Sequence, residues 1–161
     1  MKGEKIIHMK NNDAVFKDDK PEQFPGYLLW QVSNIRQRII NNGLRELELT
    51  YPQFVIISGI HWLKQSNESV NQVKLIQFTK MDKSVVSSVL KSLEKRDIVI
   101  REVDQRDTRA KVLELSELGS SQLEKALIII KNIDDSFFSE NKSDMDHFNK
   151  VLVNIIKENG Y

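Results

Sequence analysis

Residues 82–115 read DKSVVSSVLKSLEKRDIVIREVDQRDTRAKVLEL, and a change of period inside this stretch decides the fold. In its first half Val86, Val89, Leu90 and Leu93 fall at i, i+3, i+4 and i+7, the spacing of one buried helix face. That predicts a helix over Lys83–Arg96, capped by Asp82 and stopped at Asp97, a residue that tolerates the left-handed conformation. In its second half two short β-branched runs, Ile98–Val103 and Ala110–Leu115, flank a polar, charged segment. That is the pattern of a β-hairpin with a charged tip.

Upstream, Val70–Met81 holds a short apolar helix broken at Thr79-Lys80-Met81. Two short helices joined by a tight turn and followed by a hairpin make a winged helix-turn-helix. Before them, Thr50 and Gln53 form a Thr-x-x-Gln capping box, Leu49 and Phe54 the matching hydrophobic staple, and Pro52 lies in the first turn. A helix is therefore expected from Tyr51 to about Gln65. Leu28, Val32, Ile35 and Ile39 mark an earlier helix, from Tyr27 to about Glu46. Downstream, Ser116 caps a long helix to about Ser139, and a last amphipathic helix closes the chain over Asp144–Glu158. The expected fold class is mainly α with a small β-hairpin wing, a winged helix-turn-helix between N- and C-terminal dimerisation helices. Residues 1–24 are expected to be a flexible arm. Residues 25–158 are expected to be a single domain, with the winged helix-turn-helix at about 50–115 and dimerisation helices at about 25–46 and 117–158.

Composition narrows the function. The chain has 161 residues and a formal net charge of only +1, but the charge is unevenly spread. Residues 74–111 carry ten Lys/Arg against six Asp/Glu, and residues 112–161 five against nine. A basic middle and an acidic end suit one surface turned to an anionic partner and another kept away from it. There is no cysteine, which excludes disulfides, thiolate catalysis and cysteine-ligated zinc. His8, His61 and His147 have no metal-site spacing, so no metal or cofactor is expected. The longest apolar run, Ala126–Ile130, is far short of a membrane span of ~20 residues. With no signal-peptide pattern, a soluble, cytoplasmic protein is expected. No nucleophile elbow, phosphate-binding glycine loop or His-Glu-x-x-His appears, so an enzyme is not expected.

The candidate chemistry lies on the helix over 83–96. The face left over by its buried stripe holds Lys83, Ser84, Val85, Ser87, Ser88, Lys91, Ser92 and Lys95, of which Lys83, Ser84, Val85, Ser87, Ser88 and Lys91 are the candidate DNA contacts. Small hydroxyls let a helix backbone approach a major groove and bond to base edges or phosphates. Val85 can pack on a thymine methyl, and lysines neutralise phosphate. At the hairpin tip, Arg106 and Arg109 are placed for duplex DNA, Arg106 in the minor groove. Asp104 and Arg109 lie near the two strand ends, where a charge-assisted hydrogen bond would brace the wing.

Four segments in register resemble the MarR family of transcriptional regulators. Leu49-Thr50-Tyr51-Pro52-Gln53-Phe54 resembles the family's helix-two entry, and Asp82–Arg96 its recognition helix. Asp104-Gln105-Arg106-Asp107-Thr108-Arg109 matches its Asp-x-Arg-x-x-Arg wing, and Leu115-Ser116-Glu117-Leu118-Gly119 its Leu-Thr-x-x-Gly segment. Two departures are Asp97, where the family often has glycine, and Thr79-Lys80, where a glycine is common. The resemblance implies a dimer that reads a palindromic operator in double-stranded DNA, usually as a repressor released by a ligand. It also implies an effector pocket, with Tyr27, Trp30, His61 and Trp62 as local candidates for a small aromatic or amphipathic effector. The homodimer has separate support. Leu123, Ala126, Leu127, Ile128, Ile129, Ile130 and Ile133, like Phe148, Val151, Leu152, Ile155 and Ile156, make their helices apolar on several sides, which calls for a partner chain. The competing reading is a winged-helix protein-interaction module without DNA binding, which would tend to replace Lys91, Arg106 and Arg109.

Overall fold

A computed structural model describes residues 20–66, 69–103 and 111–159. Its elements are α1 (Pro25–Gly43), α2 (Tyr51–Lys64), α3 (Gln72–Thr79), α4 (Lys83–Lys95), β1 (Val99–Val103), β2 (Lys111–Leu115), α5 (Glu117–Phe137) and α6 (Met145–Glu158). Short 3-10 turns lie at Pro21–Gln23, Arg45–Leu47 and Ser139–Asp144. The chain divides into two units within α1, one ending at Arg36 and the other beginning at Gln37. The expected arm falls partly outside the description, since only residues 20–24 of it are described. Among the described residues no helix is long and apolar enough to cross a membrane.

The capping signals explain where the helices begin. Thr50 accepts from the Gln53 backbone N–H, and the Gln53 side chain returns the bond to the Thr50 N–H. The Asn41 amide oxygen takes the Tyr51 N–H at 2.8 Å, a second donor of the same helix end. Asn71 caps α3 through the Lys74 N–H, and Ser116 caps α5 through the Gly119 N–H. Asp82 does stand before α4, but its carboxylate caps none of the first-turn N–H groups, contrary to the sequence expectation.

Two helix ends turn without glycine. Asp97 adopts φ 54°, the left-handed conformation expected of it, and Lys80 adopts φ 58° at the end of α3. The turn at Lys80 is fastened by Thr79. Its hydroxyl donates to the Leu75 carbonyl at 2.8 Å and accepts from the Met81 N–H at 3.4 Å. A side-chain hydroxyl thus supplies the bonding that lets a non-glycine residue close the turn.

The core of the second unit joins α2, α3, α4, the hairpin and α5. Ile56, Ile57 and Ile60 of α2 meet Leu75 of α3, Val86, Leu90 and Leu93 of α4, and Leu123 and Ala126 of α5. Burying each large aliphatic contributes about 1.5–3 kcal/mol. Gly59 allows α2 and α3 to approach closely, because a Cβ there would stand 2.8 Å from Leu75 Cδ1. The hairpin is antiparallel with Val99 opposite Leu115 and Val103 opposite Lys111. Leu113 of β2 also donates its N–H to the Val70 carbonyl at 2.7 Å, which ties the hairpin to the segment before α3.

Candidate nucleic-acid interface

The helix α4 takes its orientation from both flanks. Val86, Leu90 and Leu93 are fully buried beneath it. At its C-terminal end Arg96 donates to the Glu48 carbonyl at 2.6 Å and lies 3.7 Å from the Glu48 carboxylate. Glu48 itself has a left-handed φ of 52°. On the hairpin side Arg101 of β1 grips the Glu94 carboxylate, with Nη2 at 2.6 Å and Nε at 2.9 Å. Glu94 and Arg101 are each about two-thirds shielded from solvent, and two charge-assisted bonds fix β1 against α4. Part of the basic charge of residues 74–111 is therefore structural, since Arg96 and Arg101 hold the helix in place.

What remains outward is a strip of hydroxyls and lysines. At 100° per residue, Ser84, Ser88, Lys91 and Lys95 lie within about 60° of one another on α4. All four are exposed, as are Lys83, Val85 and Ser92. Ser87 is half-buried at the margin of this face. The sequence already placed Lys95 and Ser92 on this face, without naming either as a DNA contact. Lys95 completes the i, i+4, i+7, i+11 series that begins at Ser84, and that spacing was readable. The helix spans about 20 Å, enough to lie across a groove about 12 Å wide.

The sequence-predicted wing tip, Asp104, Arg106 and Arg109, lies outside the described residues. The strands that lead to it are in place, and Lys64 of α2 pairs with Glu114 of β2 at 2.9 Å. Among the effector candidates, Tyr27 stacks on Trp30 with ring centroids 6.1 Å apart. Trp62 of α2 packs against Phe78 of α3 at 6.2 Å, and His61 bonds to Gln65 at 3.0 Å. An open cleft of about 490 Å³ is lined instead by Gln37, Asn41, Arg45, Glu48, Leu49, Thr50 and Pro52, and none of the four candidates lines it. Among the described residues no cluster of His, Asp and Glu could hold a metal ion.

Comparisons with known proteins place the chain in a family and a fold. A family model described as transcriptional regulator SarA/Rot matches residues 38–126. The HTH-type transcriptional regulator YdcH of Bacillus subtilis is 35% identical over 119 residues, covering 74% of this chain and 81% of YdcH. Among solved structures, CouR of Rhodococcus jostii RHA1, bound to p-coumaroyl-CoA, is similar at TM-score 0.74 and 20% identity, over 85% of this chain and 94% of its own. A mutant MarR of E. coli complexed with operator DNA is similar at TM-score 0.70 and 20% identity, over 84% of this chain and 95% of its own. At these identities the two structures share the fold.

Proposed function

The chain belongs to the SarA/Rot family of transcriptional regulators, built on the MarR-type winged helix-turn-helix fold, and from that premise we propose that it binds a palindromic operator as a homodimer and represses until a small ligand releases it. The observation that carries the DNA reading is the outward strip of α4, hydroxyls and lysines on a helix whose other sides are anchored. Lys83, Ser84, Val85, Ser87, Ser88 and Lys91 face the major groove in this reading, with Lys95 on the adjoining phosphates. Arg106 and Arg109 of the wing contact the flanking backbone and minor groove, and Asp104 braces Arg109. The operator DNA bound by the mutant E. coli MarR supports this use of the shared fold.

The dimer has its own support. None of the residues of α6 is buried within one chain, yet Phe148, Val151 and Ile155 follow helical spacing along it. In α1, Leu28, Leu29, Val32, Ile35 and Ile39 are likewise exposed. A second copy that covers such faces produces twofold symmetry, and twofold symmetry demands two half-sites in inverted repeat. For a small aromatic or amphipathic effector the candidate contacts are Tyr27 and Trp30 in the first unit and, taken separately, His61 and Trp62 in the second. The support for an effector is the exposed ring faces, with Trp30 62% and Trp62 47% accessible, and the acyl-CoA bound by CouR. A cytoplasmic location accompanies the reading.

The test is a salt series of duplex binding by the wild type and by Lys91→Ala. Loss of a lysine that pairs with phosphate reduces the slope of log K against log salt by about one unit per subunit, about two for the dimer. If Lys91 reads a base, operator affinity falls by about 1–3 kcal/mol while binding to random DNA changes less. Unchanged affinity and slope on every duplex would remove α4 from the interface.

A further inference from the structure

We propose that Ser92 is a hydrogen-bond donor to a DNA phosphate, and that Gln53, on a different helix, is the positioning residue that turns its proton outward. The inference rests on the reading of α4 as the DNA-facing helix. It starts from one buried amide. Gln53 is 9% exposed and spans the junction of α2 and α4. Its Oε1 accepts the Thr50 N–H at 2.9 Å, closing the capping box. Its Nε2 lies 3.2 Å from Ser92 Oγ.

The orientation of this amide is set by its surroundings. A backbone N–H needs an acceptor, so the amide oxygen faces Thr50 and the NH2 group is left for Ser92. An NH2 group only donates, and the serine oxygen must therefore accept. A serine hydroxyl has one proton and two lone pairs, and with a lone pair committed to Gln53 its proton is directed elsewhere. In helices the usual outlet is the carbonyl four residues back, but Ser92 makes no such bond to Ser88 and takes no other partner among the described residues. Ser92 is exposed, one turn beyond Ser88 and three residues before Lys95. Its proton is thus free on the DNA side, at the flank of the strip next to the start of α2. A flank position next to a helix N-terminus borders the groove wall, where the acceptors are phosphate oxygens. Gln53 has two roles in one side chain: capping α2 and polarising a donor on α4.

The experiment uses the full chain, a mixed-sequence duplex and the operator recovered by selection. Ser92→Ala is expected to weaken binding by at least about 10-fold on both duplexes, since one hydrogen bond to a charged group is lost from each subunit. The salt slope stays at the wild-type value because no charge is lost. Ser92→Thr keeps the hydroxyl and restores affinity. Gln53→Glu is the decisive variant. It preserves the capping box, since Glu is a standard partner at that position, but its carboxylate accepts the Ser92 proton and draws it inward. It should weaken DNA binding in the wild type more than in the Ser92→Ala background. The added negative charge acts equally in both and cancels in the double-mutant cycle. Wild-type affinity in Ser92→Ala, a loss confined to the operator, or independent effects of the two substitutions would each overturn the proposal. Lys91→Ala is measured alongside. If it weakens binding and Ser92→Ala does not, only the Ser92 assignment falls, and if neither weakens binding the DNA-facing reading of α4 falls with it.

Discussion

Replacing Gly119 by Ala should damage the protein, although alanine is ordinarily the better helix residue by about 1 kcal/mol. Gly119 is buried in the first turn of α5, where its N–H donates to Ser116 Oγ at 2.9 Å. A Cβ built there overlaps the backbone carbonyl oxygen of Ile98, with Ile98 Cγ2 a further 3.3 Å neighbour. That carbonyl cannot swing aside. It accepts from the Ser116 N–H at 3.1 Å and lies 3.3 Å from the Ser116 hydroxyl, and Ile98 is itself fully buried. The start of α5 must therefore lift away from the base of the hairpin. Overpacking costs about 1–3 kcal/mol, and each loosened hydrogen bond about 1 kcal/mol more. After the helix-propensity gain is subtracted, the net destabilisation is about 2–4 kcal/mol. Urea unfolding followed by far-ultraviolet circular dichroism, at one fixed protein concentration, measures it. Gly26→Ala is the internal control, because nothing lies within 4 Å of a Cβ at that position. It should be neutral or stabilising by up to about 1 kcal/mol. Wild-type stability in Gly119→Ala would refute the claim that this contact pins α5 to the hairpin.

Three further outcomes are expected. Asp97→Gly relieves the left-handed backbone at φ 54° but adds glycine entropy, and should stabilise by about 0.5–1 kcal/mol in thermal unfolding; a lowered midpoint would show that Asp97 does more than tolerate the turn. Arg101→Ala frees Glu94 and loosens β1 from α4, so DNA affinity should fall on every duplex, because both wing and helix lose their fixed spacing; unchanged affinity would mean that the Arg101–Glu94 pair, at 2.6 Å, does not position the interface. Ile155→Glu changes a side chain that is 51% exposed in one chain, so a monomer would tolerate it; light scattering should show a folded monomer, and a persistent dimer would place the interface elsewhere.

The sequence signals that proved most legible were the periodic and local ones. Val86, Leu90 and Leu93 announced the buried face of α4, and the Thr50–Gln53 box announced the start of α2, because both depend on residues a turn or two apart. The hairpin followed from its switch to period two. Less legible was whatever depends on contacts distant in the chain. Arg96 and Arg101 read as basic surface, yet one is held by Glu48 and the other by Glu94. Gln53 read only as a capping residue, because nothing in its local spacing shows that Ser92, 39 positions on, meets its other end. Asp82 matched a capping pattern without making the bond, and the turn without glycine at Lys80 depended on the Thr79 hydroxyl. On the outward face of α4, Ser87 is half-buried at the margin and Lys95 lies near the centre, a difference that the 100° step per residue made readable.

Selection of bound sequences from random duplex DNA by the purified full chain tests the central claim most directly. A regulator that presents two copies of α4 about a twofold axis should enrich an inverted repeat. Its half-sites should lie about one helical turn apart, 10–10.5 base pairs centre to centre, or a multiple of that. Enrichment should be lost when Lys91 and Ser88 of the outward strip are replaced together by Glu. Recovery of no motif at all, or of the same motif with the doubly substituted protein, would contradict the account.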